Sequence, residues 1–98
     1  MVQIKWLKSA KQDLSEIYTY ISYDSSKYGK LQLIKIQNKI KILKKNIMIG
    51  KAVPELNRPD IRELVEGNYR IIYRVINSSC VHILLIHHSA RDIRSRKL

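Results

Sequence analysis

Apolar side chains recur along this chain with two different spacings, one typical of strands and one typical of helices. Each change of spacing marks a new element. In residues 2–7 the apolar Val2, Ile4 and Trp6 alternate with the polar Gln3 and Lys5, which is the pattern of a strand with one covered face. The apolar residues that follow recur every three or four positions, as on one face of a helix. Ser9 with Gln12 three residues later matches a capping box, so a first helix is predicted from about Ser9 to about Tyr23.

A second helical stretch follows a short polar break. Residues 24–26 are Asp-Ser-Ser, whose side chains compete for backbone hydrogen bonds, and Gly29 comes soon after, so the chain turns there or begins a new helix with its own cap. The three-four spacing then resumes and continues to Ile47. Gly50 is predicted to end this helix, and the two prolines of the next loop keep it from resuming. Two apolar stripes this close together predict an antiparallel helical hairpin.

The C-terminal half returns to the period of strands. Strands are predicted at residues 61–65, 69–76 and 81–87. The connections between them are short and rich in residues that tolerate tight turns, so these strands pair antiparallel. The order β-α-α-β-β-β predicts an α+β fold, an antiparallel sheet with the helical hairpin packed on one face, and a single domain over residues 1–98.

The net charge of the chain indicates which classes of molecule this domain binds. The formal net charge is +11 and the pI is near 10.0, a field that attracts nucleic acid, anionic lipid or an acidic protein. The lysines of the second helix are more often a solvated face than a track for phosphates. A single cysteine, Cys80, forms no intramolecular disulfide, and no apolar run reaches the length of a membrane span. A cytoplasmic protein without a membrane partner is expected.

The strand at residues 69–76 places two arginines, Arg70 and Arg74, on one face. Because the helices cover only one face of the sheet, the other face is predicted to be partly apolar and studded with guanidinium groups. Such a surface suits single-stranded nucleic acid. The alternative is that either arginine pairs with Glu63 or Glu66 on the neighbouring strand.

A histidine pair supplies the remaining candidate chemistry. His87 and His88 end the last strand, and Arg91 follows. An RNA-cleaving site would use Glu55 as the base, Arg70 and Arg91 to hold the phosphate, and His87 or His88 as the acid. The competing interpretation is that one histidine packs in the core and the other is a solvated strand end. The cysteine and the histidines match no compact zinc pattern, so no metal ion and no cofactor is expected.

Several segments taken together carry a family pattern. They are residues 10–21, 53–56, 61–64, 69–75 and 86–92. In this order and spacing they resemble the RelE/ParE superfamily of toxins from bacterial type II toxin–antitoxin systems, also described as plasmid stabilisation proteins. The resemblance implies a growth-inhibiting toxin neutralised by a cognate antitoxin, whose C-terminal segment typically wraps the toxin in a hetero-oligomer. An acidic partner would also mask the net positive charge.

The same resemblance implies one of two targets. ParE-like members inhibit DNA gyrase, and RelE-like members cleave mRNA within the ribosome. Arg70 and Arg91 match basic positions of the nucleases, and Glu55 lies where some of them place a glutamate base. Ile61 and Glu63, however, stand where the best-known nucleases have lysines, and no tyrosine follows Arg91.

ParE-like gyrase inhibition is therefore predicted, with RelE-like mRNA cleavage as the alternative. A third hypothesis is complex formation and autoregulation with toxicity lost. Whether the chain is an enzyme stays open; if it is a nuclease, Arg70→Ala and Arg91→Ala are each expected to slow cleavage without unfolding the domain. The residues predicted to bind the target are Arg62, Arg70, Arg74, Arg91 and Arg94.

Overall fold

A computed structural model describes residues 1–96 and 98 of the chain. The elements are β1 (Gln3–Trp6), α1 (Lys8–Ser22), α2 (Ser26–Lys41), a 3-10 turn (Ile42–Lys44), β2 (Lys51–Ala52), β3 (Ile61–Glu66), β4 (Tyr69–Asn77), β5 (Cys80–His88) and a second 3-10 turn (Ile93–Ser95). The strands form one sheet in the order β1-β5-β4-β3-β2. The predicted α+β fold with a helical hairpin is thereby confirmed.

Two features of the sheet differ from the prediction. β1 pairs in parallel with β5, although the strands of the C-terminal half pair antiparallel. A two-residue strand, β2, extends the other edge antiparallel to β3, within the loop expected to be irregular. The hairpin turns are as predicted: Gly67, with a φ of 59°, occupies the first central position of the β3–β4 turn, where a side chain is disfavoured.

The first helix begins before Ser9, the residue that the sequence predicted as its start. α1 begins at Lys8, and the residue at its N-terminal cap is Leu7, which makes no side-chain capping bond. Ser9 lies inside the first turn and donates its hydroxyl to the carbonyl of Leu84 at 2.6 Å. The predicted capping box is therefore wrong, because the Ser9 hydroxyl binds the neighbouring strand rather than its own helix.

The second helix begins with a cap of its own and ends before Gly50. Ser25 accepts a hydrogen bond from the first turn of α2 at 3.3 Å, which confirms a fresh helix after the break. Gly29 lies within α2, where a Cβ would come 2.2 Å from the hydroxyl oxygen of Ser22 on α1. The missing side chain thus lets the two helices approach closely. α2 ends at Lys41, so the prediction that Gly50 ends it is wrong.

Buried apolar residues lie on both faces of the sheet. The helix-side cluster comprises Ala10, Ile36, Ile40, Leu43, Leu64, Ile71, Tyr73, Val81, Ile83 and Ile86. The second cluster comprises Val53, Ile61, Ile72, Leu84, Leu85 and Ile93. The second face is covered by the loop that follows β2 and by the C-terminal 3-10 turn, so the prediction of an open second face is wrong. Among the described residues, no helix is both long and apolar enough to cross a membrane.

Candidate functional site

Arg70 lies on β4, on the sheet face away from the helices, and is only 9 % exposed. Its Nε donates to a carboxylate oxygen of Glu63 on β3 at 2.7 Å. Its two terminal nitrogens donate to the two carboxylate oxygens of Glu55 at 2.7 and 2.9 Å. The expected outward-facing guanidinium is therefore wrong for Arg70, and the alternative pairing with Glu63 is confirmed. The guanidinium is bound by two carboxylates.

This pairing changes what Glu55 and Arg70 are able to do. The hydrogen bonds from Arg70 lower the pKa of Glu55 from 4.5 to about 2, although partial burial acts in the opposite direction. The hydrogen bond to Glu55 raises the pKa of Arg70 in turn. A carboxylate with so low a pKa is a weak proton acceptor at neutral pH, and a bidentate guanidinium has few donors left for a phosphate.

His87 stands directly across from Arg70 in the β4–β5 pairing, on the same face. It is 3 % exposed. One ring nitrogen lies 3.1 Å from the backbone oxygen of Arg91, and the other lies 3.3 Å from the guanidinium of Arg96. The sheet thus brings Glu55, Arg70 and His87 together as predicted, but His87 is a core histidine with both nitrogens engaged.

His88 points to the opposite face because successive residues of a strand alternate. Its ring meets Tyr69 edge to face, with centroids 5.5 Å apart, and its Nδ1 accepts from the backbone N–H of Ala90 at 3.1 Å. His88 and the exposed Arg91 both line a groove of about 790 Å³, together with Tyr20 and Tyr69. The two histidines of the predicted pair therefore point to opposite faces of β5, although His87 also borders this groove.

Three of the four remaining predicted target-binding arginines also have partners. Arg62 donates to the backbone carbonyl of Gly50 at 2.7 Å. Arg74 pairs with Asp60 at 3.3 Å, rather than with Glu63 or Glu66. Arg94, although exposed, pairs with Asp92 at 3.0 Å, and its hydrogen bond lowers the pKa of that carboxyl. Of the predicted set, only Arg91 has a side chain without a hydrogen-bond or ion-pair partner within the described part of the chain.

Comparison with known proteins decides the family. The model of the family described as "ParE toxin of type II toxin-antitoxin system, parDE" matches residues 4–93. The chain belongs to the ParE toxin family. It is a type II toxin of a toxin–antitoxin module, and the family implies an antitoxin partner. The resemblance to RelE/ParE toxins is thereby confirmed.

A solved structure shares the fold of this ParE toxin. A chain of the structure titled "Chromosomal ParDE TA system from P. aeruginosa" superposes with a TM-score of 0.72 at 24% sequence identity. The match covers 90% of this chain and 96% of that chain. A search of curated proteins finds no significant match.

The ParE toxin also contains a buried ion pair that the sequence analysis missed. Asp13 on α1 is 9 % exposed and accepts from Arg96 at 2.8 and 2.9 Å. This contact fastens the C-terminal segment to the first helix. A signal was present, because Asp13 lies three residues after Ala10 and four before Ile17, within the apolar stripe of α1. A carboxylate in such a stripe is buried and requires a cationic partner.

Proposed function

We propose that this ParE-family chain, as one unit over residues 1–98, is a cytoplasmic toxin that inhibits DNA gyrase by binding it, without cleaving RNA, until its antitoxin neutralises it. The observation that carries the proposal is the bidentate contact of Arg70 with Glu55. It occupies both the candidate base and the candidate phosphate clamp.

Cleavage of RNA requires a base to activate the 2′-hydroxyl, unengaged cations to hold the phosphate, and an acid for the leaving oxygen. Glu55 is held ionised, Arg70 is bound by two carboxylates, and His87 is enclosed. A toxin that acts by binding needs none of these groups free, because affinity comes from complementary surfaces. Gyrase is the target that the ParE-like branch of the resemblance implies.

The test uses two assays on the purified protein. In a DNA supercoiling reaction, the toxin is expected to inhibit gyrase in a dose-dependent way. In a reaction with translating ribosomes, it is expected to leave the transcript intact. Antitoxin added beforehand serves as the control in the gyrase assay and is expected to restore supercoiling. Transcript cuts at toxin concentrations that leave gyrase active would overturn the proposal.

One observation favours the alternative, ribosome-dependent cleavage of mRNA. The groove that contains His88 and Arg91 also contains the aromatic rings of Tyr20 and Tyr69, on which bases stack. Under this alternative, Arg91→Ala and His88→Ala slow transcript cleavage. Silence in both assays, with no growth arrest on expression, would instead favour complex formation and autoregulation without toxicity.

A further inference from the structure

The groove of about 790 Å³ beside His88 is lined by α1 and by the end of the sheet at which β4 begins and β5 finishes. It is called here the Tyr20 groove. On α1, Glu16 and Tyr20 lie four residues apart, so their side chains share one face of the helix. On the sheet, the ring of Tyr69 meets the ring of His88 edge to face. The Tyr20 groove therefore has aromatic rings from both the helix and the sheet.

Two hydrogen-bond donors that line the Tyr20 groove have no acceptor within residues 1–96 and 98. The exposed side chain of Arg91 makes no ion pair there. The amide nitrogen of Gln32 on α2 is enclosed and has no hydrogen-bond partner. An enclosed donor without an acceptor is unfavourable. Both groups therefore have unused capacity for the acceptor atoms of a ligand.

The polar ends of Tyr20, Tyr69 and Arg91 lie near one another. Burial raises the pKa of the Tyr69 hydroxyl, the hydroxyl of Tyr20 acts in the same direction, and the cation of Arg91 acts in the opposite direction. Influences between ionisable groups are strong only over short distances. Tyr20 is 76 % exposed, so its ring is accessible to a ligand. Two hydroxyl groups and one guanidinium thus converge on the same groove.

We propose that the Tyr20 groove binds one guanine nucleotide, with its base against the rings of Tyr20 and Tyr69 and its phosphate on Arg91. Bases stack on aromatic side chains, and a guanidinium binds a phosphate through two parallel hydrogen bonds. The other arginine of the groove, Arg96, is already paired with Asp13, so the groove has a guanidinium for one phosphate. The inference goes beyond the proposed function, because it requires neither gyrase nor cleavage of RNA.

The polar groups of the Tyr20 groove match guanine better than adenine. The Watson–Crick edge of guanine has two adjacent donors, N1–H and the N2 amino group, beside the acceptor O6. The exposed carboxylate of Glu16 accepts from Gln12 alone, at 3.3 Å, and has capacity for both donors. The amide nitrogen of Gln32 suits O6. Adenine has a lone pair on N1 where guanine has N1–H, and this lone pair would face the carboxylate.

Calorimetric titration of the purified toxin tests the site directly. Guanosine 5′-monophosphate is expected to bind at one site with a Kd on the order of 10 to 100 μM. Adenosine 5′-monophosphate is expected to bind at least about 10-fold more weakly, because it leaves the Glu16 carboxylate without its donors. Guanosine, which lacks the phosphate, is expected to bind about 10-fold more weakly as well. No saturation by guanosine monophosphate at roughly 1 mM, or equal binding of the adenine nucleotide, would overturn the proposal.

Matched variants separate the stacking platform from a general loss of surface. Tyr20→Leu is expected to weaken binding of guanosine monophosphate about 10-fold. The control, Tyr23→Leu, alters a tyrosine that is 87 % exposed and does not line the groove, and it is expected to change binding less than about 2-fold. Both sites are exposed, so unfolding midpoints should stay unchanged. Equal affinities of the two variants would contradict the site.

Charge variants separate the phosphate contact from the net charge of the chain. Arg91→Ala is expected to weaken binding about 10-fold. The control, Lys45→Ala, removes one exposed positive charge roughly 20 Å along the helical axis from Gln32 and is expected to weaken binding less than about 2-fold. Glu16→Gln is expected to abolish the preference for guanine over adenine. Equal losses in Arg91→Ala and Lys45→Ala would show that only net charge matters and would overturn the proposal.

The nucleotide could be free or part of a single strand, and a further titration distinguishes the two sources. A single-stranded trinucleotide with a central guanine is expected to bind at least about 10-fold more tightly than guanosine monophosphate if the site serves single strands. Equal or weaker binding of the trinucleotide assigns the site to the free nucleotide. Either result requires that Tyr20→Leu weakens it. Binding of a blunt-ended duplex as tight as that of the trinucleotide, and insensitive to Tyr20→Leu, would overturn the proposal.

Discussion

The carboxylate of Asp13 on α1 accepts a hydrogen bond from the backbone N–H of Ile86 on β5, at 3.0 Å. β1 accompanies β5 only as far as Ile83, so the second half of β5 has no strand on that side. α1 lies beside this half of β5 in place of a strand. Its Ser9 hydroxyl donates to the carbonyl of Leu84, and its Asp13 carboxylate accepts from the N–H of Ile86. Two side chains of one helix thus satisfy the buried edge of the sheet.

Removal of the Asp13 carboxylate is expected to destabilise the fold strongly. Asp13→Ala leaves the amide of Ile86 and the guanidinium of Arg96 without their partner, and the expected loss in free energy of unfolding is about 3 kcal/mol. The matched control is Glu16→Ala, an exposed carboxylate of the same helix, with an expected loss of less than about 0.5 kcal/mol. Urea unfolding measures both. Equal midpoints for the two variants would contradict the assignment.

Arg70 is expected to be a stability determinant. Arg70→Ala leaves Glu63, which is 5 % exposed, as a buried carboxylate without that partner, so the free energy of unfolding should fall by about 3 kcal/mol. The buried pairing of Arg70 thus replaces the prediction from the sequence that Arg70→Ala leaves the domain folded. Arg91→Ala, at an exposed arginine, should change stability by less than about 0.5 kcal/mol. Thermal unfolding compares the two, and a native-like melting temperature for Arg70→Ala would refute the buried pairing.

The pairing of Glu55 predicts a stability change at acid pH. Its pKa is lowered from 4.5 in the unfolded chain to about 2 in the folded one, so the stabilisation is complete above pH 4.5 and is lost as the pH falls through about 2. The contribution is about 1 to 2 kcal/mol, since the carboxylate is part-exposed and screened. The stability difference between wild type and Glu55→Gln should therefore shrink over this range in urea unfolding. A constant difference would exclude the mechanism.

Gly50 is expected to tolerate no side chain. A Cβ there would lie 2.5 Å from the hydroxyl oxygen of Tyr73 and 2.7 Å from the backbone oxygen of Glu63. Gly50→Ala should lower the free energy of unfolding by about 3 kcal/mol, because the buried backbone and ring have no space to move. Gly67→Ala is the control: its surroundings are open, and only its positive φ opposes the substitution, by about 1 kcal/mol. Chemical denaturation should rank the two in this order.

The period of the sequence was sufficient to predict which face each side chain of β4 occupies, but not along β5, where a bulge places the consecutive Leu84 and Leu85 in the same cluster. Alternation along β4 placed Arg70 and Ile72 together, away from Tyr73, and the structure agrees. Alternation carries no information about what covers a face. Val53 and Ile93 come from segments far apart in sequence, without a regular period of their own, and they close the second face over Ile72.

Local sequence patterns carry no information about long-range contacts, and this also explains why the candidate site was predicted only in part. The sequence analysis identified Glu55 and Arg70 correctly as neighbours in the fold, but it assigned them separate roles. Only the three-dimensional arrangement shows that they bind each other at 2.7 Å. Gly50 is a comparable case: a glycine after a helix predicts a C-terminal cap, whereas here its backbone N–H donates to the hydroxyl of Tyr73 at 2.9 Å. Long-range contacts of this kind leave no local pattern.

The parallel pairing of β1 with β5 links the first strand of the chain to the last. β5 lies between β1 and β4, so the earliest strand to be synthesised has no neighbour until the final one is available. A nascent chain that still lacks residue 88 consequently has no complete sheet and exposes the apolar side of its helical hairpin. Folding of this toxin is therefore expected to finish only after β5 has been translated, and chains that stop before β5 are expected to be degraded rather than to become active.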